Sequence, residues 1–391
     1  MNNFEFTLPT RFYFGRDEEK RTGEICNKYG AKKVMIIHYG DFVKTTGLFD
    51  KISKSLDEAG VPWIEIDGVQ ANPRVSLVRK CIARAKDENV DFLLAIGGGS
   101  VIDTAKATGV GMHYEGDVWD LYTGRGTTDR TTPVGVVLTI PAAGSESSNG
   151  SVITNEEEHS KRGFGGDFMR PVFAVMNPEL TYTLPSFQTA AGGFDIMAHI
   201  MERYFTMTEN CDVTDEMCEG TLRALIKNIP VVMERPKDYA ARAEIMWAGT
   251  IAHNGILGVG REEDWGSHEL GHALSAFYDI THGATLSVIF PAWMKYVYKL
   301  RPEKFARYAE KVWGVEPDGD TEKTALEGIA RTKEFCKKLG LPVSLMDAGV
   351  QDDRTEEMAD HCTLDDTAPV GAFKKLYKQD CINIYNDAYG K

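Results

Sequence analysis

The chain has 391 residues, and its 44 lysines and arginines against 58 aspartates and glutamates give a formal charge of −14. The length exceeds one domain of usual size, and the composition, 42% hydrophobic and 26% charged, is that of an ordinary globular protein. The acidic excess opposes binding to nucleic acid or to an anionic membrane surface, and no apolar run approaches the roughly 18 residues that span a bilayer.

The seven cysteines are odd in number, widely spaced and without a CxxC pair, so the sequence does not indicate a disulfide framework. Residues 1–20 show no basic leader followed by an apolar run. We therefore expect a reduced protein in the cytoplasm.

The first half of the chain alternates short β-branched apolar runs with amphipathic stretches, which is typical of parallel strands joined by helices. The predicted strands are 33–39, 63–67, 91–97, 134–140 and 172–176. Residues 46–59 and 75–86 each place apolar residues on one helical face, which predicts helices that cover the sheet.

The third predicted strand runs directly into Gly97, Gly98, Gly99 and Ser100, and a predicted helix follows. Glycine lets backbone N–H groups approach a phosphate, and a helix N-terminus carries partial positive charge, so this turn suits an anion. It lacks the GxGxxG pattern, and a strand-to-helix turn without a ligand is the alternative. A second polar loop, 139–147, follows the next strand, where open α/β sheets bind ligands, and the two loops together favour a nucleotide.

After Leu184 and Pro185 the β-branched runs disappear. Helical periodicity predicts helices over 186–205, 214–233, 238–255, 321–339 and 369–388. The prolines at 178 and 185 disfavour continued regular structure, which places a domain boundary there. We predict an α/β domain over residues 1–184 and an all-helical domain over residues 185–391.

Two helical pairs in the second half have the spacing of metal ligands. Asp195 and His199 are four residues apart, as are His268 and His272, so each pair shares a helical face; His282 follows ten residues later. Imidazole and carboxylate together suit Fe²⁺ or Zn²⁺ better than Mg²⁺ or Ca²⁺. From spacing alone, the candidates are Asp195, His199, His268 and one or both of the other histidines, and the alternative is a set of structural histidines.

The segment from His268 to His272 also satisfies HExxH, the zinc-binding motif of metalloproteases. Three fixed positions in five recur by chance, and the extended form HExxHxxGxxH is absent. A protease would also leave the glycine turn and the parallel strands without a purpose. A zinc metalloprotease is therefore kept only as the alternative from another functional class.

Four segments together resemble the iron-containing, group III alcohol dehydrogenases, most closely the butanol dehydrogenase-like branch of NAD(P)H-dependent aldehyde reductases. They are GGGSVIDTAK (97–106), TIPAAGSES (139–147), GGFDIMAHIMERY (192–204) and GREEDWGSHELGHALSAFYDITHGATLSVIFPAWM (260–294). The resemblance implies a dehydroquinate synthase-like architecture, in which a Rossmann-like dinucleotide-binding domain precedes an all-helical, metal-binding catalytic domain. It also implies a homodimer or a larger homo-oligomer.

The resemblance also implies residue roles. The metal ligands fall on Asp195, His199, His268 and His282, while His272 stands beside the nicotinamide as a catalytic residue that relays a proton. The cofactor-binding positions fall on Gly40, Asn72, Gly97, Gly98, Gly99, Ser100, Asp103, Thr139, Ser145, Val152 and Lys161. Fe²⁺ is favoured as the metal, and Zn²⁺ accepts the same ligands.

Gly40 bears on the choice between NAD and NADP. Relatives that prefer NAD carry an aspartate at the aligned position, where its carboxylate accepts the ribose 2′-OH and repels a 2′-phosphate. Gly40 leaves room for that phosphate, so NADP is favoured, although Asp41 acts in the opposite sense if the loop turns by one residue.

The expected reaction is hydride transfer between the nicotinamide and short-chain aldehydes or primary alcohols, such as butanal and butanol, with the metal polarising the substrate oxygen. A lactaldehyde, polyol or glycerol dehydrogenase-like oxidoreductase is the alternative within this class. Five aromatic residues are candidates for an apolar substrate pocket: Phe164, Phe168, Trp265, Phe277 and Trp293.

Overall fold

A computed structural model of the chain describes residues 1–352 and 354–389. The chain divides into two compact units, Thr7–Thr183 and Leu184–Lys391, and Met1–Phe6 groups with the second. The sequence analysis had assigned residues 1–6 to the first domain. They join the second because the backbone N–H of Asn2 donates to the Gly260 carbonyl (2.7 Å) and the Met1 amino group donates to the Glu209 carbonyl (2.7 Å).

The first unit is an α/β structure built on a parallel sheet. Its strands, in chain order, are β1 (Arg11–Phe14), β2 (Val34–His38), β3 (Trp63–Ile66), β4 (Phe92–Gly97), β5 (Val134–Leu138), β6 (Gly150–Asn155), β7 (Ser160–Gly165) and β8 (Phe173–Met176). β6 and β7 form an antiparallel hairpin, and the other strands form the sheet in the order β1-β8-β5-β4-β2-β3. Every residue of β2, β4, β5 and β8 is buried, as expected for parallel strands covered on both faces.

The helices of this unit connect the strands. They are α1 (Thr22–Lys28), α2 (Asp41–Thr45), α3 (Leu48–Glu58), α4 (Val75–Asp87), α5 (Gly99–Gly111) and α6 (Val118–Tyr122). The predicted helices at 46–59 and 75–86 are confirmed as α3 and α4. All five predicted strands are also confirmed, as β2, β3, β4, β5 and β8.

The sequence analysis did not predict β1 or the hairpin. β1 is four residues long and exposed at both ends, so its apolar pattern is too short to be recognised. The β7 segment is rich in glycine and charged residues and half exposed. The acidic residues 156–158 lie in the hairpin turn.

The second unit is helical and is built around a helix that is buried over most of its length. Its helices are α7 (Ser186–Tyr204), α8 (Asp212–Glu234), α9 (Tyr239–His253), α10 (Gly266–Tyr278), α11 (His282–Val297), α12 (Pro302–Trp313), α13 (Thr321–Lys338), α14 (Thr355–Thr363) and α15 (Lys378–Tyr389). From Thr189 to Tyr204, every residue of α7 is buried. A helix that is buried on all sides forms the core of its unit, and this one carries Asp195 and His199.

The predicted helix over 369–388 is wrong in its first half, because α15 begins only at Lys378. The preceding segment is held by a carboxylate: the backbone N–H groups of Ala372 and Phe373 donate to Asp264 Oδ1 at 2.7 and 2.6 Å. Gly371 has a φ of 80°, which a helix does not allow.

Within the described residues, no helix combines the length and the apolar composition that crossing a membrane requires. All seven cysteines lie in the part of the chain that the structure describes, and each is buried and free.

Candidate functional site

Asp195 and His199 project from one face of the buried helix α7. Gly193 lets the neighbouring helix α8 approach, because a Cβ there would lie 2.8 Å from Ile229 Cδ1. His199 Nδ1 lies 2.8 Å from the backbone carbonyl of Asp195. A carbonyl only accepts, so Nδ1 carries the proton and Nε2 keeps the lone pair that a metal would need.

His268 is oriented by a carboxylate on α7, Glu202. Its Nδ1 donates to Glu202 Oε1 (2.7 Å), and the same oxygen accepts hydrogen bonds from the His268 backbone N–H (2.9 Å) and the Ser267 hydroxyl (2.7 Å). Burial lowers the pKa of His268 well below its usual range, so its ring is neutral. Burial also raises the pKa of Glu202 to about 7.

Three of the four predicted ligands come together. One ligand atom from each of Asp195, His268 and His282 lies within 4.8 Å of the other two, and His282 Nε2 is 3.8 Å from Asp195 Oδ1. Asp195 Oδ1 and His268 Nε2 are buried and have no hydrogen-bond partner within the described residues. His199 Nδ1 is 3.1 Å from Asp195 Oδ1, but its hydrogen bond goes to the Asp195 backbone carbonyl. Buried polar atoms are normally satisfied, so two unsatisfied acceptors aimed at one place suit a cation. One carboxylate with imidazoles is a donor set that Fe²⁺ and Zn²⁺ accept, and the residues therefore fit the metal.

The fourth predicted ligand, His199, lies beside this group without belonging to it. Its ring centroid is 4.5 Å from that of His268 and 4.4 Å from that of His253. Its ligand atom is not one of the three that lie mutually within 4.8 Å.

His272 is also adjacent and also outside the group of three ligand atoms. Its ring centroid is 5.1 Å from that of His282 and 6.3 Å from that of His268, and its side chain is 12% exposed. Of the two histidines of the HExxH motif, only His268 therefore belongs to the group of three ligand atoms. Asp195 and His282 complete that group.

The glycine turn of the α/β unit is packed against the loop that follows β5. A Cβ at Gly98 would lie 2.8 Å from Ile140 Cβ, and one at Gly99 would lie 3.1 Å from the Ala143 Cβ. Gly98 precedes the first turn of α5, whose initial backbone N–H groups have no partner within the helix. Glycine is therefore required for packing and leaves the helix N-terminus able to receive an anion.

One predicted cofactor residue, Asp103, contacts two others. Asp103 Oδ1 accepts a hydrogen bond from the Ser145 hydroxyl (2.6 Å), and Oδ2 accepts one from the Val152 backbone N–H (2.9 Å). The buried Lys106 donates from Nζ to Ser145 Oγ (3.0 Å) and to the Ser148 carbonyl (2.9 Å). These bonds fasten the loop after β5 to α5.

Of the remaining predicted positions, Gly40 and Asn72 lie in the loops after β2 and β3, Thr139 directly follows β5, and Lys161 lies in β7. Lys161 Nζ donates to Asn72 Oδ1 (3.0 Å), and the Thr139 backbone N–H donates to the Gly97 carbonyl (3.0 Å). Gly40 has a φ of 104° and a ψ of −140°, and its N–H donates to His38 Nδ1 (3.0 Å).

A cavity of about 200 Å³ lies at the carboxyl ends of β2, β5 and β8, where parallel sheets bind nucleotides. Its lining includes Phe42, Thr139 and Asn177.

Sequence analysis missed Glu202 and Lys106 and misjudged one aromatic residue. Glu202 is fully buried; its position three residues after His199, on the same helical face, was the available signal. No local pattern indicates the partners of Lys106, which lie about 40 residues away. Trp293 packs in the core against Phe205 and Phe290 and so does not line a substrate pocket.

Comparison with known proteins decides the family. A family model for iron-containing alcohol dehydrogenases matches residues 9–178, and a model for the C-terminal part of the same family matches residues 189–389. The chain belongs to the iron-containing alcohol dehydrogenase family. It is therefore an oxidoreductase, an NAD(P)-linked alcohol dehydrogenase and aldehyde reductase, and the protease alternative is wrong.

Several relatives match this alcohol dehydrogenase over almost its full length. The NADH-dependent butanol dehydrogenase A of Clostridium acetobutylicum is 38% identical, with full coverage of both chains. The NADPH-dependent aldehyde reductase YqhD of Escherichia coli is 36% identical, with 90% of both chains covered. The crystal structure of NADH-dependent butanol dehydrogenase A from Thermotoga maritima is 39% identical, with 99% of both chains covered and a TM-score of 0.96.

Proposed function

We propose that this alcohol dehydrogenase reduces short-chain aldehydes with NADPH, and oxidises primary alcohols in the reverse direction, at a divalent metal held by Asp195, His199, His268 and His282. One observation carries the proposal: three of these side chains converge, and two of their ligand atoms are buried acceptors without a hydrogen bond. The match to the iron-containing family supports the same ligand set.

The ligands divide into one charged and several neutral groups. Asp195 supplies the negative charge, and His199 and His268 each present Nε2 because Nδ1 is engaged elsewhere. When bound, the ion supplies positive charge that polarises the substrate oxygen. We propose Fe²⁺ rather than Zn²⁺ on the family match alone, and elemental analysis of anaerobically purified protein distinguishes the two.

We propose that His272 moves the proton between the substrate oxygen and solvent. It is partly exposed and adjacent to His282, and histidine exchanges protons near neutral pH. A His272→Gln substitution is expected to lower kcat by about 10²-fold while the metal content stays stoichiometric. Wild-type kcat in this variant would contradict the role.

The α/β unit is proposed to bind the dinucleotide, which supplies the hydride when bound. The phosphates are placed at Gly97–Ser100, where the start of α5 offers backbone N–H groups. Lys106 and Asp103 hold the neighbouring loop in place, and Thr139 lines the cavity at the carboxyl end of β5. The predicted positions Asn72, Thr139 and Lys161 complete this proposed set.

The preference for NADP over NAD is proposed from the β2–α2 turn. At a φ of 104°, residue 40 accepts only glycine without strain, so a carboxylate that repels a 2′-phosphate does not belong there. Named relatives include both NADH-dependent and NADPH-dependent enzymes. Steady-state kcat/KM for NADPH and NADH measures the preference, and Asp41→Asn is expected to shift the ratio further towards NADPH.

The substrate class is proposed from the relatives, which include butanol dehydrogenases and an aldehyde reductase. We expect butanal to be reduced with a higher kcat/KM than lactaldehyde or glyceraldehyde. A panel scored by nicotinamide absorbance tests this, and a preference for glycerol or a polyol favours the alternative. We further propose a homodimer or larger homo-oligomer in the cytoplasm, tested by light scattering and by cell fractionation.

The metal proposal is tested with His268→Ala. We expect metal content and turnover to fall together, turnover by about 10³-fold or more, because the lost charge stabilisation amounts to several kcal/mol. NADPH affinity should remain, since the proposed dinucleotide residues lie in the other unit. The control is His159→Asn, an exposed histidine in the hairpin turn. Full turnover by metal-free His268→Ala would reject the proposal.

A further inference from the structure

Trp265 stands out because its backbone is strained. It immediately precedes α10 and has a φ of 66° and a ψ of 0°, in the left-handed region that bulky residues avoid. Such strain persists only where the surroundings over-determine it, and it concentrates at functional sites.

Several contacts hold Trp265 in this conformation. Its backbone N–H donates to Glu202 Oε2 (3.0 Å), and its indole N–H donates to Glu263 Oε2 (2.7 Å). The guanidinium of Arg203 lies over the indole ring, 4.7 Å from its centroid, and Arg203 Nε is 3.1 Å from Glu263 Oε1. Contacts to the indole N–H, to the face of the ring and to the backbone N–H of Trp265 therefore fix the side chain.

The held indole meets the imidazoles of the candidate metal group. The ring of His268 lies 5.1 Å from it and the ring of His199 lies 5.8 Å from it, both at 73°. His253 approaches to 5.4 Å. The indole thus restricts how far two proposed ligand rings can rotate about their side-chain bonds.

Arg203 adds a charge to this arrangement. It is buried, and besides its ion pair with Glu263 it donates to the His199 carbonyl (2.8 Å). A buried guanidinium close to a cation site opposes metal binding unless an anion offsets its charge. Glu263 supplies that negative charge, and the indole ring keeps the guanidinium in place.

We infer that Trp265 is a positioning residue for the metal ligands: its indole, anchored by Glu263 and Arg203, holds His199 and His268 in the orientation that binds the ion. The inference rests on the proposed metal site. It does not make Trp265 a catalytic residue, because the indole is placed against the ligand rings rather than against a reacting atom.

The test uses the full-length metal-free enzyme titrated with Co²⁺, whose d–d absorption reports coordination geometry as well as affinity. Trp265→Gly removes the indole and relieves the backbone strain, so a folding defect is not expected to mask its effect. Trp265→Phe keeps an aromatic face and loses the bond to Glu263. The control is Trp247→Phe, an exposed tryptophan on α9.

We expect Trp265→Gly to weaken Co²⁺ binding by about 10- to 100-fold and to change the d–d spectrum, with Trp265→Phe in between. In the iron-loaded enzyme, kcat should fall while KM for NADPH stays unchanged, a split that general loosening would not produce. Wild-type affinity and spectrum in Trp265→Gly would overturn the inference.

Asp195→Asn separates this failure from failure of the metal site itself. If Asp195→Asn binds Co²⁺ as tightly as the wild type, the proposed site and the inference both fall. If Asp195→Asn loses Co²⁺ while Trp265→Gly keeps it with the wild-type spectrum, only the role of Trp265 falls.

Discussion

A single carboxylate, that of Glu202, organises the start of α10. It accepts hydrogen bonds from the hydroxyl of Ser267, the ring and backbone of His268, and the backbone N–H of Trp265. All of these groups donate, and a carboxylate is the side chain that accepts at both of its oxygens. The negative charge also suits the N-terminus of α10. Glu202 therefore fixes the His268 tautomer and the helix start together.

Replacing Glu202 with glutamine should weaken metal binding. The amide keeps one acceptor, but its NH₂ group then faces another donor, which leaves buried donors unsatisfied and the His268 ring free to turn. We expect metal affinity to fall by about 10- to 100-fold, measured by competition with a chelator. Glu269→Gln is the control, because its half-exposed carboxylate lies 3.8 Å from Nδ1 of His272, which is not one of the three converging ligand residues. Equal affinity in the two variants would contradict the role of Glu202.

At the scale of elements, the turn between β4 and α5 depends on close packing. A Cβ at Gly98 would lie 2.8 Å from Ile140 Cβ, so Gly98→Ala must displace the loop after β5. We expect the free energy of unfolding to fall by about 1–3 kcal/mol and KM for NADPH to rise. Urea denaturation and steady-state kinetics measure the two effects.

Gly220→Ala provides the matched control. Gly220 lies inside α8, and the nearest atom to its added Cβ is Arg223 Nη2 at 3.8 Å. Alanine is the better helix former, so the free energy of unfolding should rise by about 0.5–1 kcal/mol. If Gly98→Ala were as stable as Gly220→Ala, the packing argument for the turn would be wrong.

The junction of α8 with α12 contains a buried lysine. Lys304 Nζ is 2.5 Å from Asp215 Oδ2 and 3.9 Å from the centroid of the Tyr204 ring. Burial lowers the pKa of Lys304 from its ordinary 10.5 to about 8. Asp215 also pairs with Arg261 (2.8 Å), so it keeps a cation if Lys304 is removed.

This lysine predicts a pH dependence of stability. Between about pH 8 and 10.5, Lys304 is neutral in the folded chain and charged in the unfolded chain, which therefore binds more protons. The free energy of unfolding should then rise with pH, by at most about 1.4 kcal/mol per pH unit. Below pH 8 Lys304 is charged in both states, so the full cost of burying its charge lowers the free energy of unfolding there. Lys304→Met should reduce this rise, and Lys311→Met, which removes an exposed lysine on α12, should leave it unchanged. Denaturant midpoints measured from pH 7 to 9.5 test the prediction. If the midpoint rose equally steeply with pH in both variants, the prediction would be refuted.

The sequence predicted elements where burial imposes a period. β4 is buried throughout and α7 is buried from Thr189 to Tyr204, so their residues follow a continuous apolar run or a helical repeat. The predicted helix was wrong over residues 369–377 because Asp264, about a hundred positions earlier, accepts hydrogen bonds from the backbone of this segment instead. A distant partner of this kind leaves no local pattern.

The same limit applies to the candidate site. Helical spacing alone paired Asp195 with His199 and His268 with His272, because residues four apart share a helical face. Spacing could not choose His282 over His272 as a ligand, since that depends on how α11 packs against α10. Only the resemblance placed His282 in the set, and the structure brings its ring to the group of three atoms.

At the scale of the whole chain, the two groups of proposed functional residues belong to different compact units. The metal group lies within Leu184–Lys391, and the glycine turn and its loop lie within Thr7–Thr183. A ligand stabilises the structure that binds it, by about 2.7 kcal/mol at 100 times its Kd. Each ligand should therefore protect the unit that holds its residues.

Hydrogen exchange on the full chain tests this division. Metal should slow exchange in α7 and at the starts of α10 and α11, because opening these segments releases the ion. NADP should slow exchange at the β4–α5 turn and in residues 139–148. Asp195→Asn should abolish the metal effect and keep the NADP effect. If metal left exchange in α7 unchanged, Asp195 and His199 would not be its ligands, whatever the purified protein contains.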